Sequence, residues 1–230
     1  MSVEKEKLIL LHGALGSSKQ FDSLKLKLSN CFEVFTMNFE GHGDRLTDKE
    51  YAIDVFAQNL IDMMDENSLA SAKVFGYSMG GYVALYASLQ HPARFEKIIT
   101  LGTKFNWSKE AAEKEVRMLD PEKIEEKVPA FANQLKATHY TQDWKSVVRK
   151  TAKMMLAMGE GARIDDDAFQ KIQPAVVIGW GSEDRMVTHE ESAQIAETIP
   201  DCKLIVLEDQ KHPIEMVDDE VLYNYLIENL

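Results

Sequence analysis

Cysteine is scarce in this chain: only two occur among 230 residues, Cys31 and Cys202. They lie far apart in sequence, and neither has the spacing of a metal site or a redox motif. This scarcity excludes a small scaffold held together by disulfides and favours a reducing compartment. Glycine and proline are also few, 12 and 6, which excludes collagen-like and low-complexity chains. With 45% hydrophobic residues, a chain of this length is able to bury a core of its own.

The sequence also lacks a long apolar run near its start and an excess of positive charge. The one apolar run there, Leu8 to Leu11, is too short for a membrane span or the core of a signal peptide. Lys and Arg number 26 against 38 Asp and Glu, which gives a net charge of −12. A surface of this sign repels nucleic-acid phosphates and anionic membranes. We therefore expect a cytoplasmic protein that binds neither nucleic acid nor membrane.

Short apolar runs alternate with amphipathic stretches, a pattern typical of an α/β domain with a parallel sheet. Most of the candidate strands are continuously apolar or β-branched, as buried parallel strands require. The six candidates are Leu8 to His12, Phe32 to Met37, Lys73 to Tyr77, Lys97 to Leu101, Ala175 to Gly179 and Lys203 to Leu207. The helices are expected at Lys19 to Leu28, Ala52 to Glu66, Met79 to Gln90, Glu190 to Glu197 and Pro213 to Glu228. The prediction is a doubly wound, mostly parallel sheet of about six strands with helices on both faces.

Residues 103–172 break this alternation, because they contain several amphipathic helical segments but no convincing strand. We expect a helical insertion there, with residues 1–102 and 173–230 together forming the core. The insertion is close to neutral, so the acidity of the chain belongs to the core.

The strongest local signal is the segment Gly76-Tyr77-Ser78-Met79-Gly80-Gly81, between a predicted strand and a predicted helix. A G-x-S-x-G pattern in that position is typical of a nucleophile elbow. Small neighbours let the strand and the helix approach while a strained turn exposes Ser78. The helix that begins at Met79 directs its N-terminal N–H groups at the place where an oxyanion would form. A glycine-rich turn with an incidental serine is the alternative.

A serine nucleophile needs a base, and the base needs an acid that fixes its tautomer. In a doubly wound sheet, reactive groups gather beyond the carboxyl ends of the strands. Asp184 follows the strand that ends at Gly179, with Glu183 as its nearest competitor, and His212 follows the last strand. The sequence therefore predicts a catalytic triad of Ser78, Asp184 and His212.

Together these features resemble the α/β-hydrolase superfamily, in which the triad residues follow this order along the chain. The turn formed by residues 11–17, LHGALGS, is similar to the family's HGxxGS motif. This resemblance implies an oxyanion hole made by the backbone N–H groups of Ala14 and Met79, with Leu15 as an alternative donor to Ala14. It also implies a structural role for His12. Only 11 residues precede that histidine, so we expect a serine esterase-like minimal form that lacks the family's N-terminal β-hairpin.

A second motif departs from the family pattern. Residues 38–45, NFEGHGDR, look like the family's D-x-P-G-x-G-x-S loop, but Asn38, Glu40 and Arg45 replace its usual residues. These differences leave the predicted triad unchanged, and they mean that the resemblance does not fix the substrate.

The insertion corresponds, by the same resemblance, to the lid that shapes the acyl pocket of the family. Aromatic and methionine side chains form adaptable apolar cavities. The candidate pocket residues are Leu15, Trp107, Phe131, Leu135, Trp144, Met155 and Met158. For each of them, core packing is the alternative role.

The resemblance implies a serine hydrolase that cleaves a carboxyl ester or thioester of a small or medium acyl group through an acyl-serine intermediate. It implies a small-molecule substrate, no cofactor and no metal. C–C hydrolases and a menaquinone-pathway lyase use the same triad, and the elbow and the oxyanion turn of that lyase are similar to those of this chain. The lyase typically carries Arg where this chain has Tyr82. A non-catalytic ligand-binding module with the hydrolase fold is a further alternative.

One basic stripe within the insertion suggests a protein partner. Lys145, Arg149 and Lys153 fall on one face of a predicted helix. Some esterases of the family receive acyl chains from an acidic carrier protein through a basic lid surface. The stripe therefore predicts a contact with an acyl-carrier protein, and solvated surface is the alternative reading.

Overall fold

The computed structural model describes residues 5–230, which are built around one sheet of six strands. The strands are β1 Glu6–Leu11, β2 Phe32–Met37, β3 Ala72–Tyr77, β4 Phe95–Leu101, β5 Ala175–Gly181 and β6 Cys202–Leu207. Their spatial order is β2-β1-β3-β4-β5-β6, and every neighbouring pair is parallel. The predicted fold class is confirmed, and the strand ends lie within two residues of the predicted ones. Residues 1–4 of the predicted core lie outside the described residues.

Helices connect and cover these strands. They are α1 Asp22–Leu28, α2 Ile53–Glu66, α3 Met79–Gln90, α4 Lys109–Val116, α5 Pro121–Lys127, α6 Pro129–Thr138, α7 Trp144–Gly159, α8 His189–Thr198 and α9 Asp219–Asn229. Four of them, α4 to α7, lie between β4 and β5, in the segment for which an insertion is predicted. None of the helices in the described residues has the length and apolar character that crossing a membrane requires.

The inner strands β1, β3, β4 and β5 are mostly apolar and buried because helices cover both faces of the sheet. In β1, Leu8 and Leu10 pack into one core, and Ile9 and Leu11 pack into the other, since successive side chains of a strand point to opposite faces. Helices α1 and α9 complete the first core, and α2 and α3 complete the second. Each fully buried aliphatic side chain of this kind stabilises the fold by about 1.5–3 kcal/mol.

Two helix predictions are wrong at their N-terminal ends. The first predicted helix is split into a short 3-10 helix, Ser18–Phe21, followed by α1. The last one was expected from Pro213, but Ile214–Met216 is a 3-10 helix and α9 begins at Asp219. The side chain of Asp218 caps α9 by accepting two N–H groups of its first turn. The loop that follows β6 is therefore longer than predicted, and it carries His212.

The two cysteines lie near opposite edges of the sheet. Cys31 directly precedes the edge strand β2, and Cys202 begins the other edge strand β6. Both thiols are free.

Candidate active site

Ser78 lies in the tight turn between β3 and α3. Its φ of 51° is in the left-handed region, which residues with side chains seldom adopt. Hydrogen bonds hold this turn on both sides: the Ser78 N–H donates to the Leu101 carbonyl at 2.8 Å, and the Thr103 hydroxyl donates to the Ser78 carbonyl at 3.0 Å. The surrounding structure thus maintains a backbone conformation that costs about 1–3 kcal/mol.

The glycines beside Ser78 are required by close contacts between backbones. A Cβ atom on Gly76 would overlap the backbone of Gly81, and one on Gly80 would overlap the carbonyl of Leu11. The first turn of α3 is therefore pressed against the ends of β1 and β3. This contact is the physical reason for glycine on both sides of the serine.

His212 lies between Ser78 and Asp184. Its Nδ1–H donates to Oδ2 of Asp184 at 2.7 Å, and its Nε2 is 3.4 Å from Oγ of Ser78. The second distance is at the long end of the hydrogen-bond range. The structure therefore brings the three predicted residues into one line, with Nε2 of the imidazole facing the hydroxyl.

Asp184 is held firmly in its turn after β5. Its side chain is 1% exposed, and its Oδ1 accepts the N–H groups of Met186 and Val187 at 2.8 and 2.9 Å. A buried carboxylate requires such partners. Glu183, the predicted competitor, is exposed to solvent. Asp184 is therefore the carboxylate that meets the imidazole.

Two further residues support His212, and the sequence reasoning missed both. The Tyr77 hydroxyl donates to the His212 backbone carbonyl at 2.9 Å. Gly102, whose φ is +61°, leaves room for the site, because a Cβ there would lie 3.3 Å from His212 Nδ1 and 3.4 Å from Asp184 Oδ2. Its position directly after β4, at the carboxyl edge of the sheet, was the available signal.

The predicted oxyanion turn is a β-turn over residues 13–16, closed by a 3.2 Å hydrogen bond from the Gly16 N–H to the Gly13 carbonyl. Ala14 and Leu15 are its central residues. Ala14 and Met79 line the same cavity as Ser78, whereas Leu15 does not. Met79 is the first residue of α3, so its N–H has no acceptor within the helix.

His12 anchors this turn from within the core. Its Nε2 accepts the Phe39 N–H at 3.2 Å, so its Nδ1 carries the proton and donates to the Gly13 carbonyl at 2.8 Å. The ring is fully buried. These bonds give His12 the structural role that the family resemblance implies.

His139, at the end of α6, anchors the same turn from the other side. Its Nδ1 accepts the Gly43 N–H at 3.1 Å, and its Nε2–H donates to the Leu15 carbonyl at 3.1 Å. Leu15 has a left-handed φ of 60°, so this bond holds a residue in an unfavourable conformation. The helical segment between β4 and β5 thus supports the turn that carries the candidate oxyanion donor.

Acid is expected to destabilise the protein through these buried imidazoles. Burial lowers the pKa of His12 to about 4, whereas the pKa in the unfolded chain is about 6.5. Between those pH values the unfolded state binds a proton that the folded state does not, so the free energy of unfolding falls as the pH falls. His12 alone accounts for a loss of about 2 kcal/mol between pH 7 and pH 5. Urea denaturation at the two pH values measures the loss.

His42 provides the matched variant for this experiment. Burial and the neighbouring His12 and His139 hold the pKa of His42 well below its usual range, and its Nε2 has no hydrogen-bond partner among the described residues. The substitution His42→Phe keeps a ring between Tyr51 and Phe56 and removes one titrating group. We expect the free energy of unfolding of this variant to fall less between pH 7 and pH 5 than that of the native protein. An equal fall in the two proteins would contradict the explanation.

Ser78 and His212 open onto a cavity of about 50 Å³. Three of the predicted pocket residues line it: Trp107, Met155 and Met158. Further lining side chains that were not predicted include Ile53, Tyr82, Lys104, Glu115 and Met154. Most of the lining is apolar, and the charged exception is an ion pair between Lys104 and Glu115 at 3.2 Å.

Four of the predicted pocket residues do not line this cavity. Leu135 and Trp144 are buried in a separate cluster with Val148, between α5, α6 and α7. Phe131 is 36% exposed, and Leu15, a central residue of the oxyanion turn, packs against the cluster that contains Leu135 and Trp144. The C-terminal part of α7 reaches the cavity, whereas its N-terminal part, with Trp144, packs against α5 and α6. Helix α6, which carries Phe131 and Leu135, contributes no side chain to the cavity.

The basic stripe on α7 is compensated by carboxylates. The ion pairs are Lys145–Glu125, Arg149–Glu122 and Lys153–Glu50. An acidic carrier protein would have to compete with these carboxylates for the same cations. Within residues 5–230, no three or more His, Cys, Asp or Glu side chains are arranged to hold a metal ion.

Comparison with known proteins agrees with this architecture. Residues 7–162 match the model of a family described as having the alpha/beta hydrolase fold. A segment of 92 residues is 32% identical to ethanol acetyltransferase 1 of Kluyveromyces marxianus, and one of 95 residues is 28% identical to a 2-succinyl-6-hydroxy-2,4-cyclohexadiene-1-carboxylate synthase of Enterobacter sp.. The two segments cover 39% and 41% of this chain but only 25% and 36% of those relatives, well under two thirds of their length.

A solved structure matches over the whole length of the chain. It is MenH from S. aureus, which superposes with a TM-score of 0.77 at 22% sequence identity. The match covers 100% of this chain and 95% of that one.

Proposed function

Because the chain belongs to the alpha/beta hydrolase fold family, we propose that it is a serine hydrolase that cleaves a carboxyl ester or thioester of a small acyl group. One observation carries this proposal. The hydroxyl of Ser78, the imidazole of His212 and the carboxylate of Asp184 form a continuous line of contacts at a mostly apolar cavity.

In the first half of the proposed reaction, Ser78 Oγ attacks the carbonyl carbon of the substrate while His212 Nε2 takes the hydroxyl proton. Asp184 holds the imidazole in the required tautomer and stabilises its positive charge. The N–H groups of Ala14 and Met79 bind the tetrahedral oxyanion, and each such donor contributes roughly 3–4 kcal/mol to transition-state stabilisation. Collapse of the intermediate expels the alcohol or thiol, which receives the proton from His212, and leaves an acyl-serine.

In the second half, a water molecule attacks the acyl-serine and gives its proton to His212. The same N–H groups bind the second oxyanion. Collapse breaks the bond to Ser78 Oγ, which recovers its proton from His212, and the carboxylic acid leaves. Every proton in this cycle is carried by the imidazole.

The size of the cavity favours a short acyl group. About 10–15 Å³ of such space holds one water molecule, so about 50 Å³ suits a group of three to five non-hydrogen atoms, such as acetyl or propionyl. The similarity to an ethanol acetyltransferase over 92 residues supports acetyl chemistry. The compensated charges on α7 favour a free small-molecule ester over a carrier-bound one.

A fluorophosphonate probe and a simple ester test the proposal together. We expect the probe to add to the peptide that contains Ser78, and the protein to hydrolyse p-nitrophenyl acetate faster than the octanoate ester. Mass spectrometry locates the label, and absorbance at pH 7 to 8 follows the released nitrophenol. Folded protein that neither takes up the probe nor hydrolyses the acetate would overturn the proposal.

A lyase acting on a carboxylate-bearing substrate is the second candidate, because one relative is a 2-succinyl-6-hydroxy-2,4-cyclohexadiene-1-carboxylate synthase. Such a substrate requires a cation in the cavity. Tyr82 lines the cavity, and the ammonium group of Lys104 there is already paired with Glu115. The two candidates separate experimentally, since a lyase would turn over its own substrate while barely hydrolysing p-nitrophenyl acetate.

A further inference from the structure

A second, larger space lies next to the cavity at Ser78, which is called the acyl cavity because the proposed reaction places the acyl group there. This groove has a volume of about 280 Å³ and is lined in part by Tyr51, Tyr86 and Arg163. Asp54 and Gly161, which also line it, are exposed, so the groove opens to solvent. It is several times larger than the cavity at Ser78, and it has no part in the chemistry proposed above.

Three side chains line both spaces: Ile53, Met154 and Met158. They are buried, with exposed fractions of 3%, 3% and 2%. Ile53 is the first residue of α2, and the two methionines are one turn apart on the same face of α7. The three side chains therefore form a partition that is one layer thick.

The partition is built mainly of flexible side chains. Methionine is unbranched and has three rotatable side-chain bonds, so it fills irregular space without fixing its shape. Ile53 is β-branched and stiff at χ1. Shortening a methionine therefore opens the partition, while the isoleucine and the two helices keep their positions.

We propose that Met154 and Met158 set the upper limit on acyl chain length by separating the acyl cavity from the groove. This inference rests on the proposed acyl-serine chemistry. In the native protein the acyl group ends at the methionines, which restricts substrates to short acyl chains. When one methionine is shortened, the two spaces join, and a hexanoyl or octanoyl chain extends past Ile53 into the groove.

The test compares p-nitrophenyl esters from acetate to octanoate in the native protein, in Met154→Ala and in Met158→Ala. We expect the ratio of kcat/KM for octanoate to that for acetate to rise about 10-fold to 100-fold in each variant, since burying even one methylene changes discrimination by about that factor. If an alanine variant unfolds, as circular dichroism would show, Met154→Val is expected to shift the ratio in the same direction by a smaller factor.

Met155→Ala is the matched control. Met155 lies on the same helix and lines the acyl cavity, but not the groove. Its truncation enlarges the cavity without joining the two spaces. We expect this variant to have a higher kcat/KM for the butyrate ester than the native protein has. Its octanoate-to-acetate ratio of kcat/KM should stay within about 3-fold of the native value.

A binding measurement separates failure of this inference from failure of the proposed function. Trp107 lines the cavity, so its fluorescence reports binding of octanamide, which needs no turnover. The inference would be overturned if both alanine variants fold and keep the native octanoate-to-acetate ratio of kcat/KM and the native affinity for octanamide. This holds even if the native protein hydrolyses p-nitrophenyl acetate. A native optimum at octanoate would overturn it as well. The opposite result is that the native protein has no esterase activity but Met154→Ala binds octanamide more tightly than the native protein does. That result would contradict the proposed function and still support the partition.

Discussion

The substitution Ser78→Ala is expected to lower kcat/KM for p-nitrophenyl acetate by about 10⁴-fold or more. The variant lacks the only atom that forms the acyl bond in the proposed mechanism, so neither half of the reaction is available to it. Residual turnover would reflect binding and the oxyanion donors acting on water. Labelling by the fluorophosphonate should disappear at the same time. Steady-state hydrolysis and mass spectrometry on one preparation measure both effects.

The fold of the Ser78→Ala variant should remain intact. The hydrogen bonds that hold the turn use the backbone N–H and carbonyl of Ser78, and alanine at a φ of 51° bears the same backbone cost as serine. We therefore expect a melting temperature within a few degrees of the native value. A large fall would mean that the loss of activity reports unfolding.

Ser88→Ala is the matched control for this variant. Ser88 is also on α3 and is fully buried, and its hydroxyl donates to the Leu85 carbonyl at 2.8 Å. Its removal costs one neutral hydrogen bond, about 1 kcal/mol of stability, and should leave kcat/KM unchanged. If Ser78→Ala retained activity comparable to that of Ser88→Ala, the nucleophile would be another group.

The proximity of Ser78, Asp184 and His212 was predictable because sheet topology determines where strand ends meet. Asp184 and His212 follow β5 and β6, and parallel strands present their carboxyl ends at one edge. Local sequence was enough to place those strands, since each is a short, mostly apolar run. The glycine pattern around Ser78 was equally local, because the backbone contacts that require it lie within the adjoining strand and helix.

The pocket was less predictable, because periodicity shows which side of a helix is apolar but not what that side packs against. Trp144 and Met158 are both buried on α7, yet the first packs among helices of the same segment and the second lines the cavity. Tyr77 and His139 were missed for a related reason. Their contacts are made with loops distant in sequence, and no local pattern encodes those contacts.

The helical segment between β4 and β5 has two roles in the proposed mechanism. It supplies the methionines that bound the acyl cavity, and through His139 it holds the Leu15 carbonyl in the oxyanion turn. Movement of this segment would therefore change the shape of the acyl cavity and the position of the Ala14 N–H together. In the proposed mechanism, this segment therefore couples binding of the acyl group to alignment of the oxyanion donor.

The substitution Asp184→Asn is expected to lower kcat/KM by about 10⁴-fold with little change in shape. Oδ1 of Asp184 accepts two backbone N–H groups, so the oxygen of the new amide must take that position. The amide nitrogen then faces Nδ1 of His212, which has to present a lone pair instead of a proton. The imidazole proton moves to Nε2, and that nitrogen becomes unable to accept the proton of Ser78.

Glu183→Gln distinguishes this tautomer effect from a general loss of negative charge. Glu183 is adjacent in sequence and exposed, so its neutralisation changes the net charge equally while leaving the imidazole in place. We expect its kcat/KM to stay within about 2-fold of the native value, because an exposed charge acts weakly through water. Parallel losses in the two variants would point to the electrostatic field of the site as the cause. A loss confined to Asp184→Asn ties catalysis to the proton that the 2.7 Å bond holds on Nδ1, because that proton keeps Nε2 free to act as the base.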